Sequence, residues 1–460
     1  MRRIVLVEPK PPGLNVFSAF KLPRLGPIIL GTILARRGFE VRVFVEQMGL
    51  VDDSALAAAD LVGISTVTST APRSYELARD LRRRGIKVVM GGPHVTFLPD
   101  EALLHCDYVL RGEAEDSIVE LVEALRSGTG LLGIAGLSFR AGGTVHHNPD
   151  RSAPTDLDSV PLPDFGLVQG SSALKGLSFK RCVPVQISRG CPHACTFCCV
   201  TPMFGRKVRV RPVEGVMREI EAYDPRDDFI FFYDDNFAAD PAYAKSLLRA
   251  MLASGRRFRW SAQVRAEAAE DAELLGLMRD AGCEHVYVGF ETTSDEALAA
   301  VRKGQTLEGM TRAVRAMHAH EITIHGMFVL GFDEDTFEGA RKTCEWAMRE
   351  KLRTVQYLLL TPLPGSRLFR EMEAAGRLLT RDWSRYDGHH VVHEPARMTP
   401  AELQRAQIFG HEHYCSLKER LRSLARLDFY RLAVQVYGRK LNATWMRENR
   451  EYLERLGIRR

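Results

Sequence analysis

The chain has 460 residues, a length that calls for more than one domain, and its 45% hydrophobic and 26% charged residues are the balance of a soluble globular protein. A net charge of +5 is too small and too uneven for a general nucleic-acid surface, and the longest apolar run, GPIILGTILA, is too short to cross a bilayer. No secretory pattern precedes the first strand-like segment, so a cytoplasmic protein with reduced cysteines is expected.

Residues 1–145 alternate strands and helices. RIVLVEP, EVRVFVE, DLVGIST, KVVMGG and DYVLRG are near-continuous apolar strands, and the helical stretches RLGPIILGTILARRG and PRSYELARDLRRRG end in glycine. The pattern predicts a parallel sheet covered on both faces, a doubly wound, flavodoxin-like α/β domain. Ligands of such a sheet sit beyond the C-terminal strand ends. Small, hydroxylated and polar residues fall there: Asn15 after the first strand, and Ser65, Thr66, Thr68 and Ser69 after the third. Gly91, Gly92 and His94 follow the fourth, and Arg111 and Glu113 the fifth. No G-x-G-x-x-G or P-loop follows any strand, which weakens a mononucleotide reading.

Residues 146–180 are rich in Pro, Asp and Ser and read as a linker. Six β/α units over 181–390 predict a partial (β/α)6 barrel of the TIM type, with working residues where strands end. Residues 391–460 read as a helical C-terminal region. Its last part, 416–460, carries twelve Lys/Arg against five Asp/Glu.

The first barrel strand runs into SRGCPHACTFCCV, residues 188–200. Cys191, Cys195 and Cys198 have the spacing C-x3-C-x2-C. Three thiolates on so short a loop suit one face of a [4Fe–4S] cubane and leave one iron open. A zinc site completed by His193 or Cys199 is the alternative that the spacing leaves standing.

CPHACTFC, followed by barrel strands, resembles the signature of the radical S-adenosylmethionine (SAM) superfamily. The resemblance implies that the open iron chelates SAM and that reduction cleaves it to methionine and a 5′-deoxyadenosyl radical. It also implies an electron donor of the ferredoxin or flavodoxin type. Carried over by position, Cys191, Cys195 and Cys198 hold the cluster and Phe197 lies beside the adenine. Asp234 and Asp235 of FYDDNF, Gln263 and Arg265 of SAQVR, and Glu291 of VGFET are candidates for the polar groups of SAM. Glu291 would meet the ribose hydroxyls. Each charged residue serves equally well as a barrel-mouth salt bridge.

GISTVTST, GGPHVTFLPDEAL and DYVLRGEAED resemble the cobalamin-binding domain fused to many radical SAM enzymes, a class that includes bacteriochlorophyll ring cyclases, hopanoid methylases and phosphinate methylases. The motif D-x-H-x-x-G is absent, so no histidine is assigned to cobalt, and His94 is read as touching the corrin or capping a turn. The implied activity is methylation of an unactivated carbon in a small-molecule or lipid-like substrate. A second reading keeps the cluster for cyclisation, oxidation or carbon–carbon bond formation without methyl transfer, over a degenerate cobalamin domain. A third is a zinc-stabilised cobalamin or metabolite sensor. In the basic tail, Leu417, Leu421 and Leu424 recur at helical spacing. That segment either packs over the barrel mouth or rests on an anionic membrane.

Overall fold

The computed structural model describes residues 1–14, 22–152, 154–170 and 181–458. The first sheet contains β1 (Arg3–Glu8), β2 (Glu40–Val45), β3 (Leu61–Ser65), β4 (Lys87–Gly91) and β5 (Tyr108–Leu110), parallel in the order 2-1-3-4-5. This is the flavodoxin-like order. Its strands are apolar because both faces are covered: Val5, Val7, Val62 and Val88 face one helical layer, and Ile4, Leu6, Leu61 and Val89 the other.

Two further strands, β6 (Leu137–Ala141) and β7 (Thr144–His147), add antiparallel beyond β5. Their turn is Gly142-Gly143, both with positive φ, as a two-residue hairpin turn demands. Nothing in the sequence reading anticipated them, because they are short and a third of their nine residues, Arg140, Thr144 and His147, are polar and exposed. They carry the sheet to His147, into the stretch read as linker. Part of that stretch is also packed. Leu157 and Val168 are buried, Val168 bridges Val43 of β2, and Asn148 Nδ2 donates to the carbonyls of Leu131 and Ile134.

β8 (Arg181–Val185) opens the second sheet. The short β9 (Ser188–Arg189) and β10 (Arg209–Val210) pair antiparallel beside it. β11 (Asp228–Phe232), β12 (Arg259–Val264), β13 (Cys283–Glu291), β14 (Thr323–Leu330) and β15 (Thr354–Leu359) complete six parallel strands in chain order, an open partial barrel. Trp260, Phe232, Phe290, Phe328 and Tyr357 pack under the outer helices with Trp346. Alternate residues on the inner face form a second set of ring contacts: Phe229 with His285, Phe231 with Tyr287, and Tyr287 with His325.

After β15 the chain returns to the first domain. Phe369, Trp383, Tyr386 and Val392 join the core beside Tyr75 and Leu103. Helices at Pro400–Tyr414, Leu417–Ala425, Phe429–Glu448 and Arg450–Arg455 end the chain. Among the described residues no helix is long and apolar enough to cross a membrane.

His411, on the first of these helices, donates Nε2–H to Tyr357 O at 3.1 Å, and burial lowers its imidazole to about 4. The unfolded ring titrates near 6.5, so between these values only the unfolded chain holds the proton. Stability from the neutral ring is therefore intact above pH 6.5 and lost as pH falls toward 4. The gap in unfolding free energy between the native protein and His411→Gln should narrow by about 1.4 kcal/mol between pH 7.5 and 5.5 in urea titrations. An unchanged gap would mean that the His411 ring titrates in the fold as it does in the unfolded chain.

Candidate functional site

The cysteine loop leaves β9 between two anchors. Before it, the Asp234 carboxylate at the end of β11 accepts from Ile187 N at 3.2 Å and from Ser188 N and Oγ. Gly190 has φ +94°, and a Cβ there would collide with the Lys207 carbonyl, so only glycine fits. Within the loop, Cys191 N donates to Gly205 O at 3.2 Å, Cys198 N to Cys195 O at 3.2 Å and Thr201 Oγ1 to His193 O at 3.0 Å. Thr196 is tied on both sides, donating to Val301 O at 3.3 Å and accepting from Leu368 N at 2.9 Å.

Cys191, Cys195 and Cys198 are half-buried free thiols. Burial raises the Cys191 thiol and pushes Cys198 up to about 12. Val200 N donates to Cys198 Sγ at 3.4 Å, and the Arg265 guanidinium lies 3.8 Å from Cys195 Sγ. Enclosed thiols with an N–H donor and a cation beside them fit an iron–sulfur cluster, whose metal charge deprotonates them and whose sulfurs accept such bonds. Among the described residues no three His, Cys, Asp or Glu side chains converge on one metal position. A cubane binds one iron per thiolate and needs no such convergence. Cys199 precedes the helix Val200–Phe204 and makes no side-chain cap.

The residues matched to SAM divide into two groups. Phe197 packs against Phe332 at 5.8 Å, in an apolar cluster with Val301, Leu360 and Met372. Asp235 reaches solvent at the strand end, is enclosed enough that burial raises its carboxyl to about 6, and acts electrostatically on Cys191, Cys198 and Cys199. Asp234 is corrected. Its carboxylate is buried and spent on the loop's entry, where burial raises it to about 7. Asp234→Ala should strand two buried N–H groups and cost about 3 kcal/mol, measured by denaturant unfolding. Gln263 Nε2 donates to Asp234 O at 3.4 Å.

Arg265 is buried, bonded to Glu267 at 2.6 Å and to the Lys303 carbonyl. Glu291, at φ +63°, gives its Oε1 to a buried ion pair with Lys303 at 2.6 Å. Lys303, Gln305 and Glu267 escaped the sequence reading. Gln305 Nε2 donates to Glu267 Oε2 at 2.8 Å, so these residues continue the polar chain. They come from VRKGQT, a loop, and VRAEAAE, the end of β12 and a short 3-10 turn, with no periodicity to mark them.

At the first sheet's strand ends, Asn15 lies outside the described residues. Ser65, Ser69, Gly91 and Gly92 are half-buried there. Thr66 N donates to Gly91 O at 2.8 Å and His94 N to Thr66 O at 3.3 Å, while a Cβ on Gly92 would meet Thr66 O at 2.6 Å. Thr66 and Thr68 are buried, and Thr66 Oγ1 has no partner among the described residues. Small side chains and an open backbone leave room for a large ligand. Glu8, buried at the end of β1, accepts from Arg24 N at 2.8 Å, and Arg24 Nη1 donates to Ser65 O at 3.3 Å.

Three residues expected to meet the corrin are otherwise engaged. His94 is buried against Tyr75 OH at 3.0 Å, Glu101 at 3.6 Å and the Trp383 ring at 5.1 Å, so it joins the first domain to the returning chain. Arg111 clamps the strap after β7, through Asp150 at 2.8 Å and the Asn148 carbonyl. Glu113 takes Arg209 Nη1 at 3.1 Å, Arg189 at 3.3 Å and Thr155 N at 3.1 Å. Burial opposes ionisation of Glu113, but Arg209 and Arg189 hold it below the usual carboxylate range. Glu115 takes Arg189 at 2.6 Å. These four charges, Glu115 and Arg189 buried and Glu113 and Arg209 half-buried, join the segment after β5 to the two strands flanking the cysteines. Tyr233, at the end of β11, packs into the first domain's core and feels Arg24, Glu8 and Asp235. The two sets of strand ends therefore meet at the cysteine loop.

Residues 185–347 match the model of the radical SAM superfamily, and residues 14–122 match that of the B12 binding domain. A bacteriochlorophyllide d C-12(1)-methyltransferase of Chlorobaculum tepidum is 28% identical over 87% of this chain and 85% of its own. An uncharacterized methyltransferase of Pyrococcus horikoshii is 33% identical over 71% of this chain and 72% of its own. The solved structure of OxsB, a cobalamin-dependent SAM radical enzyme with aqua-cobalamin and SAM bound, matches in fold over 98% of this chain and 75% of that one, with a TM-score of 0.70 at 16% identity.

Proposed function

Since the chain belongs to the radical SAM superfamily, in the branch that carries a B12 binding domain, we propose that it places a methyl group on an unactivated carbon of a small-molecule or lipid-like substrate. It is an enzyme, and its cofactors are a [4Fe–4S] cluster, SAM and cobalamin. The cluster and SAM supply a carbon-centred radical, and cobalamin supplies a methyl carrier.

The protein's own part is to hold and enclose. The loop 190–199 offers three thiols and Val200 N–H to the cluster. Phe197 and Phe332 offer an apolar face to adenine, and Asp235 offers a carboxylate at the mouth. Ser65, Ser69, Gly91 and Gly92 leave backbone open to the corrin. Glu113 and Glu115, through Arg189 and Arg209, hold the two halves together.

The meeting of the two strand-end edges at Tyr233 and Arg189 carries this reading. A methyl carrier on one edge and a radical source on the other would then share one space. The bacteriochlorophyllide methyltransferase among the relatives supports methyl transfer to a small molecule. An electron donor of the ferredoxin or flavodoxin type, in the cytoplasm, completes the reading. Anaerobic protein, a low-potential reductant and SAM with a deuterated methyl group should yield 5′-deoxyadenosine and a labelled product from cell extract, detected by mass spectrometry. Deoxyadenosine without any labelled product would favour cyclisation or oxidation instead.

A further inference from the structure

The two long helices near the end of the chain are packed inside out. On Leu417–Ala425 the buried side chains are Glu419 and Ser423, and on Phe429–Glu448 they are Arg431, Gln435 and Trp445. Their polar groups satisfy one another. Glu419 pairs with Arg422 and lies 3.4 Å from Arg431, Ser423 Oγ donates to Gln435 Oε1 at 2.9 Å, and Gln435 Nε2 donates to Tyr414 O at 3.0 Å.

The apolar residues point away from the protein. Leu417, Leu421, Leu424, Leu427, Phe429 and Val436 are 48% to 71% exposed. Among the described residues, more than half of the exposed large hydrophobics fall within 417–437. The spacing of Leu417, Leu421 and Leu424 is that of one helix stripe, and Phe429 and Val436 lie on a second. Leu427, the most exposed of these six, sits at φ +57°, where glycine or asparagine is the usual choice. Backbone strain is thus spent on an apolar side chain in solvent. A patch of this kind on a protein surface marks a contact site.

Charge selects the partner. Lys418, Arg422, Arg426, Arg439 and Lys440 are exposed beside the stripes. The only acids within 417–440 are Glu419, which is buried, and Asp428, which faces Arg353 at 3.4 Å. The outer face is therefore both apolar and cationic. A second copy of the same face would oppose cation to cation with no acid between them. A bilayer with anionic headgroups meets both features, with acyl boundary for the leucines and headgroups for the cations. We propose that residues 417–440 dock the protein peripherally on anionic membrane. The inference stands on this face alone and deepens the lipid-like reading of the substrate, since a docked enzyme would meet such a substrate in its own phase.

The test is sedimentation of the full-length, cofactor-loaded protein with vesicles of phosphatidylcholine, with and without phosphatidylglycerol. The protein should sediment with the anionic vesicles at low salt and be released as salt rises. Leu421→Glu with Val436→Glu changes only exposed positions, so iron and cobalamin content should hold while sedimentation is lost. Arg426→Gln, Arg439→Gln and Lys440→Gln together should weaken partitioning roughly a hundredfold, about fivefold for each charge. Arg431 stays native in every variant because it is buried against Glu419. Native protein that stays in the supernatant at low salt overturns the proposal. So does a native dimer in light scattering that the two glutamates dissociate, which would give the face to a second copy. Neither result would touch the cluster or the corrin domain, whose loading is read separately.

Discussion

Cys195→Ala should purify as a folded protein that takes up almost no iron and releases no 5′-deoxyadenosine from SAM. Cys195 sits mid-loop, and its sulfur lies 3.8 Å from the Arg265 guanidinium. Its carbonyl closes the turn to Cys198 N. Alanine keeps that backbone turn and removes only the sulfur. The loop stays tied through Thr196, Thr201 and Gly205, so the fold should change little. A cubane with two protein thiolates loses a ligand that no neighbour replaces, since Cys199 only precedes a helix. Iron content and deoxyadenosine yield should both fall at least a hundredfold. Cys199→Ala is the control and should keep both.

Arg189→Met should be the most destabilising single change near the site. Arg189 is 7% exposed at its side chain and serves Glu115 at 2.6 Å and Glu113 at 3.3 Å. Removing it leaves the Glu113 carboxylate to Arg209 and the buried Glu115 carboxylate to the Thr155 hydroxyl. Breaking a buried pair from one side costs about 3–5 kcal/mol. Arg189 also directly precedes Gly190 and Cys191 and pairs with Arg209 across the β9–β10 ribbon. Denaturant unfolding should show the loss, and cobalamin retention should fall with it, because the same charges join the corrin domain to the barrel. Glu115→Gln removes charge but keeps shape, and should restore part of the stability when added to Arg189→Met. A double variant no better than the single one would mean that the carboxylates are satisfied elsewhere.

The parallel strands of both sheets were readable because apolar runs and glycine-ended helices are local signals. The cysteine loop was readable for the same reason: its three thiols lie within eight residues. What escaped depends on pairs far apart in the chain. Glu113 was placed correctly at a strand end, but its partners Arg189 and Arg209 are 76 and 96 residues away. It therefore read as a ligand contact and proved to be a clamp between domains. His94 failed likewise, since Trp383 lies in a segment that returns from beyond the barrel. Asp234 and Asp235 are neighbours with the same chemistry, and only the turn at Ile187–Ser188 decides which is spent on structure. In the tail, leucines at helical spacing suggested a buried face. The hydrogen bonds among Glu419, Ser423, Arg431 and Gln435 turned that face outward.

The central claim is that one chain holds a cluster on loop 190–199 and a corrin on its first sheet, facing each other. The most direct test is to measure iron, sulfide and cobalt on the same anaerobically reconstituted, desalted protein. About four irons, matching sulfide and about one corrin-bound cobalt per chain are expected, the iron being the nuclearity of a cubane. The iron should vanish in Cys195→Ala while the corrin stays bound. Zinc in place of iron, or iron that survives in Cys195→Ala, would contradict the claim.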